Sequence, residues 1–89
     1  LSGGHSTSNC ALLDSNLYFG ISNSANVKCL QQFLTLQGAR IYPEGLVTGY
    51  FGNLTKLAVI RFQQEHGIPA TGFVGILTRT KINQLFNAK

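Results

Sequence analysis

The stretch Thr48-Gly49-Tyr50-Phe51-Gly52-Asn53-Leu54-Thr55-Lys56 returns as Thr71-Gly72-Phe73-Val74-Gly75-Ile76-Leu77-Thr78-Arg79. Each copy reads Thr-Gly-aromatic-apolar-Gly-x-Leu-Thr-basic and comes just before a helical apolar pattern. Such a repeat restricts the fold. Two glycines around two apolar residues make a tight turn whose side chains point into a core, and the second glycine is able to open a helix. Thr55 and Thr78 then fall in the first helical turn, where a hydroxyl is placed to satisfy free backbone groups.

One further helix precedes the first turn. Residues 26–37 carry a helical apolar period, with Ser22, Asn23 and Ser24 as cap residues and Gly38 as the stop. Val27, Leu30 and Leu34 form one stripe of this helix, and Cys29, Phe33 and Leu36 a second. The first stripe is expected to face the other helices. The second is expected to be covered by an apolar arm, residues 10–21, containing Leu12, Leu13, Leu17, Phe19 and Ile21. The alternation of Leu17, Phe19 and Ile21 predicts an extended segment lying on the domain, bent at Gly20.

A second helix is predicted over residues 53–66, closed by Gly67 with Pro69 beyond it. Thr55, Ala58, Val59 and Phe62 share its inward face, and Leu57, Ile60, Arg61 and Gln64 share another. Exposure of Leu57 and Ile60 would be ordinary surface scatter. The third helix is predicted over residues 76–86, with Leu77, Ile82, Leu85 and Phe86 buried. A weaker echo links the first two helices, Val27-x-x-Leu30-Gln31 matching Val59-x-x-Phe62-Gln63. The expected fold is all-α: a compact three-helix orthogonal bundle with pseudo-repeat symmetry and an N-terminal extended arm.

At 89 residues the core supplies only a few kcal/mol, so a staple is expected. Cys10 and Cys29 are the candidates. Bridged, they close a loop of about 20 residues and stabilise the fold by about 3 kcal/mol. A disulfide requires an oxidising compartment; two buried, reduced thiols are the alternative. Residues 1–9 are rich in Gly, Ser, Thr and Asn and predict a flexible linker, leaving residues 10–89 as the domain. No apolar run approaches a membrane span and the start lacks the regions of a signal peptide, so the expectation is a mature module.

Charge narrows the function classes. The net charge is +4, with Lys28, Arg40, Lys56, Arg61, Arg79, Lys81 and Lys89 dispersed along the chain. No helix presents several of them along one face, which argues against a nucleic-acid reader. Asp14, Glu44 and Glu65 are the only acids, and no nucleophile is paired with a base, so the chain is not expected to be an enzyme. His5 and His66 lie far from any cysteine spacing that would bind zinc, so neither a metal nor a cofactor is expected. Asn53-Leu54-Thr55 fits the glycosylation pattern but sits at a helix start, and no glycan is expected.

Taken together, Val27-x-x-Leu30-Gln31, Gly38, Thr48-Gly49-Tyr50-Phe51-Gly52, Thr55, Ala58-Val59, Phe62-Gln63, Gly67 and Thr71-Gly72-x-Val74-Gly75-x-x-Thr78 resemble the peptidoglycan-binding-domain-like family over residues 17–86. The resemblance implies a small, non-catalytic, extracytoplasmic module that binds bacterial cell-wall peptidoglycan and anchors an attached hydrolase or envelope protein. Its implied partners are the peptidoglycan glycan or stem peptide and a catalytic domain in the parent chain, with no nucleic acid, no membrane span and a monomeric state. The alternative is a structural or protein-interaction module that kept the fold without wall binding. Many members carry Asp where this chain has Thr48, and Pro where it has Asn53 and Ile76. The cysteine pair and the arm look like features of a subgroup.

Wall glycan offers apolar sugar faces and N-acetyl groups, and its lactyl groups and stem peptides offer carboxylates and amides. Tyrosine joins a flat apolar body to a polar tip, and arginine forks onto carboxylates. Arg40 and Tyr42 in the irregular stretch 38–47, Tyr50 in the first turn and Arg79 at the start of the third helix are therefore the candidate ligand-binding residues. The plainer reading is that Tyr50, like Phe73, lines the core, and that Arg40 and Arg79 are surface charge.

Overall fold

Ser24 opens the first helix. Its backbone is extended and its hydroxyl accepts from the Val27 N–H at 3.1 Å. In this computed structural model, which describes Cys10 and residues 13–86, the helices are α1 Ala25–Leu36, α2 Asn53–Glu65 and α3 Ile76–Phe86. Gly38 follows α1 with φ +108°, and Gly67 follows α2 with φ +69°, left-handed positions that stop a helix at little cost for glycine. The expected linker and Leu12 of the arm lie outside the described residues.

The core is one cluster drawn from every element. Val27, Leu30, Phe33 and Leu34 of α1, Ala58, Val59 and Phe62 of α2, and Ile82 of α3 are buried in it with Leu13 and Leu17 of the arm and Phe51 and Val74 of the two turns. Phe33 packs edge-on against Phe62 and Phe86, with ring centroids 5.3 and 5.4 Å apart. Phe33 thus faces the other helices and not the arm alone, and Leu36, at 73% exposure, is not under the arm at all. The two-stripe division of α1 fails here because the facing helices reach across the wider apolar surface.

The arm is bonded at several points. Cys10 and Cys29 form the disulfide, with S–S 2.03 Å. The Asn83 side chain accepts from the Leu13 N–H at 2.8 Å and donates to the Leu13 carbonyl at 3.1 Å. Leu17 and Val74 exchange both backbone bonds as an antiparallel bridge, at 3.1 and 2.8 Å. Farther along, the Gly20 N–H donates to the Phe51 carbonyl and the Phe51 N–H to the Ile21 carbonyl, both at 2.8 Å. One short segment therefore ties both glycine turns together. Phe19 departs from the predicted alternation and is exposed. The chain reverses at Phe19 and Gly20, closed by a bond from the Ile21 N–H to the Tyr18 carbonyl, so the period-two pattern ends at that point.

On α3 the buried residues are Thr78 and Ile82, with Phe86 partly buried behind them. Leu77 and Leu85 are exposed, contrary to their apolar character. Thr78 and Ile82 are four apart and share a face, which turns Leu77 outward.

Candidate functional site

Two buried glutamines shape the turns. The Gln31 Oε1 atom accepts from the Thr48 and Gly49 N–H groups at 2.7 and 3.0 Å, and its Nε2 donates to the Tyr50 carbonyl and Thr55 Oγ1 at 2.9 and 3.0 Å. Gln63 repeats the pattern. Its Oε1 accepts from the Gly72 N–H at 2.9 Å, and its Nε2 donates to the Phe73 carbonyl and Thr78 Oγ1 at 2.9 and 3.0 Å. The two threonine hydroxyls thus serve the glutamine amides. In each turn one side chain from the preceding helix satisfies several of the backbone groups, as burial demands, and the turn's own threonine and the arm take others.

The glycines do two different tasks. Gly49 and Gly72 have φ of +86° and +81° and lie against the preceding helix: a Cβ on Gly49 would meet the Ser24 carbonyl and the Lys28 stem, and one on Gly72 the Lys56 stem. Gly52 and Gly75 instead leave room for an aromatic ring. A Cβ there would come within 2.8 Å of the Tyr50 ring or 3.1 Å of the Phe73 ring.

This arrangement sends the aromatic residue of each turn outward. Side chains alternate along the extended turn, so Phe51 and Val74 take the buried positions while Tyr50 and Phe73 remain 49% and 44% exposed. The expectation that these two rings line the core is overturned. Phe73 stacks on Tyr18 of the arm, with centroids 5.8 Å apart and planes 10° apart.

Around the first turn, Tyr42, Leu46, Thr48, Tyr50, Asn53 and Leu54 line a cleft of about 250 Å³, with buried Gln31 and Thr55 beneath. Tyr42 is only 2% exposed; its hydroxyl donates to the Leu46 carbonyl at 2.7 Å and lies 3.4 Å from Thr55 Oγ1. Its polar tip is therefore engaged within the protein, and Tyr42 forms an inner wall. Of the four predicted ligand residues, Tyr42 and Tyr50 come together at this cleft. Arg40 does not line it and pairs with Glu65 of α2 through Nε at 3.0 Å and through Nη2. Arg79 is also elsewhere, its Nε donating to Asn16 Oδ1 of the arm at 3.1 Å. Sequence reasoning missed Thr48 and Asn53 as polar rim residues and Leu46 and Leu54 as apolar ones. It also missed the role of Gln31 and Gln63, although the echo between α1 and α2 marked both.

The profile of the peptidoglycan binding domain family matches residues 23–82, more than half of the chain. Among curated proteins no sequence matches. The similar solved structures include three at 31–32% identity. The SleB N-terminal domain is 31% identical with a TM-score of 0.71, and the alignment covers 80% of this chain and 92% of that one. A peptidoglycan-binding protein from Clostridioides difficile, in complex with glutamine hydroxamate, is 32% identical with a TM-score of 0.70, over 82% of this chain and 43% of that one. The endolysin of the Burkholderia AP3 phage is 32% identical with a TM-score of 0.66, over 76% of this chain and 24% of that one. This chain thus spans nearly all of the first structure and less than half of the other two. With three helices, two glutamine-pinned glycine turns and the matched profile, the chain belongs to the peptidoglycan binding domain family.

Proposed function

We propose that the chain binds cell-wall peptidoglycan through the cleft at its first turn, without catalysing a reaction, and that it holds an attached hydrolase or envelope protein on the wall outside the cytoplasm. The observation that carries the reading is the half-exposed Tyr50 ring held over Gly52 at the mouth of an apolar cleft. A flat ring with a polar tip is suited to the apolar face of an amino sugar, while Thr48 and Asn53 at the rim offer hydrogen bonds to its hydroxyl and acetamido groups. The cleft is smaller than the roughly 300–1,000 Å³ of a drug-sized site, which matches one sugar or acetamido group on a longer strand. Tyr42 supports it as a wall, and Arg40 and Arg79 act at most from a distance, along the strand.

Co-sedimentation with purified sacculi tests this directly. The chain is expected in the pellet at low salt, and Tyr50→Ser should lower its apparent affinity by about three- to tenfold, the scale of one aromatic contact of about 0.5–1.5 kcal/mol. A chain that stays in the supernatant would instead favour the interaction-module alternative, to be pursued by crosslinking to neighbouring envelope proteins.

A further inference from the structure

The second turn carries a cleft of its own. Ile68, Pro69, Thr71, Phe73, Ile76 and Leu77 line about 190 Å³, with buried Gln63 and Thr78 beneath. Position by position this repeats the first cleft: Phe73 over Gly75 stands where Tyr50 stands over Gly52, Leu77 where Leu54 stands, and Gln63 with Thr78 where Gln31 stands with Thr55. One difference is the rim. Asn53 is replaced by Ile76 and Tyr50 by Phe73, so the second cleft lacks the amide and the phenol at its rim.

A second difference lies at its far end. Ile68, Pro69 and Leu77 also line a neighbouring groove of about 370 Å³ that runs on to Thr80, Lys81 and Gln84. Among the described residues, Lys81 is the one charged side chain lining either space. Among the described residues the ion pair is Arg40 with Glu65, so no described carboxylate neutralises the Lys81 ammonium. An apolar pocket ending in an unopposed cation suits an acylated sugar that also bears a carboxylate.

We propose that this cleft and groove form a second wall subsite, in which Phe73, Ile76 and Leu77 receive an N-acetyl or sugar face and Lys81 receives a lactyl or stem-peptide carboxylate. The inference rests on the wall-binding reading of the first cleft and extends it: one domain grips two positions of the wall polymer, the second of them by charge. Charge complementarity supplies the choice of occupant, since a neutral glycan would leave Lys81 unused.

The test is a titration of the full chain, labelled with ¹⁵N, with a soluble disaccharide-tripeptide muropeptide. Two groups of amides are expected to shift, one over residues 48–55 and one over residues 71–81. Leu77→Asn, at a side chain 63% exposed and outside the core, should abolish the second group and leave the first. Lys81→Gln should weaken binding at the second group about fivefold, the scale of one exposed charged contact, and should change nothing for a muropeptide whose carboxylates are amidated. Shifts confined to residues 48–55 would overturn the second subsite while leaving the wall-binding reading intact. Shifts in neither group would overturn both, and a second group indifferent to Leu77→Asn and Lys81→Gln would overturn the subsite as described.

Discussion

The two glycine turns share one interior and have two different rims. In both, a buried glutamine closes the loop, a threonine of the next helix completes the amide's bonds, and an aromatic ring lies over the second glycine. The rims diverge at two positions: Tyr50 and Asn53 put a phenol and an amide on the first, where Phe73 and Ile76 stand on the second, with Tyr18 of the arm stacked on the Phe73 ring. Residues that repeat therefore belong to folding, because each copy needs the same backbone groups satisfied. Those that differ are free to set binding chemistry.

Replacing the glutamines probes that division at its strongest point. Gln31→Leu strands the Thr48 and Gly49 N–H groups, while the Tyr50 carbonyl keeps the Gly52 N–H and Thr55 Oγ1 keeps the Tyr42 hydroxyl; Gln63→Leu removes the partner of the Gly72 N–H, the Phe73 carbonyl and the Thr78 hydroxyl. At about 1–3 kcal/mol for each group left buried and unpaired, less what relaxation and water recover, a loss of about 4 kcal/mol is expected for each variant. Urea unfolding checks them; losses under about 1 kcal/mol would break the claim that the glutamines pin the turns.

Next in size is the arm that joins the turns. The double variant Cys10→Ser with Cys29→Ser should lose about 3 kcal/mol, the entropy of a loop of about 20 residues. Since Asn83, Val74 and Phe51 still bond the arm, its amides should remain protected from hydrogen exchange in the native state of that variant. Loss of protection at Leu17 and Gly20 would show that the disulfide alone holds it.

The smallest effect sharpens the comparison of the rings. Gly52→Ala places a methyl group against the Tyr50 ring, which is half-exposed and able to swing away, so stability should fall by only about 1 kcal/mol. Sacculus binding should nonetheless weaken as much as in Tyr50→Ser, because the ring has left the cleft. Preserved binding would separate the position of Tyr50 from the function proposed for it.

Much of this was legible before any coordinates. Ser24, Gly38 and Gly67 mark helix ends locally, and the structure places those ends within about one residue of the expectation, the usual tolerance of such boundaries. The inward face of α2 was legible too, since Thr55, Ala58, Val59 and Phe62 keep an unbroken helical period. The cleft was harder. Tyr42 and Tyr50 are the same residue type in neighbouring irregular segments, yet one is buried and the other exposed. Local pattern does not separate them: the burial of Tyr42 depends on the Leu46 carbonyl and Thr55, and the exposure of Tyr50 on which backbone groups Gln31 draws inward. Leu36, Leu77 and Leu85 misled for a related reason, as a helical period gives the spacing of a face and not how far the neighbouring elements extend over it.

By itself, then, the sequence determined three helices, their caps, two repeated turns and the family, because each depends on local backbone chemistry and on a spacing that any copy of the fold must keep. The tertiary structure decided which of the repeated residues face water. The Thr-Gly-aromatic-apolar-Gly unit specifies that one side chain points in and the next out, but the glutamine from the preceding helix and the arm's backbone bonds to Phe51 and Val74 together select these two for the core. That selection leaves Tyr50 and Phe73 at the mouths of two clefts, open to solvent.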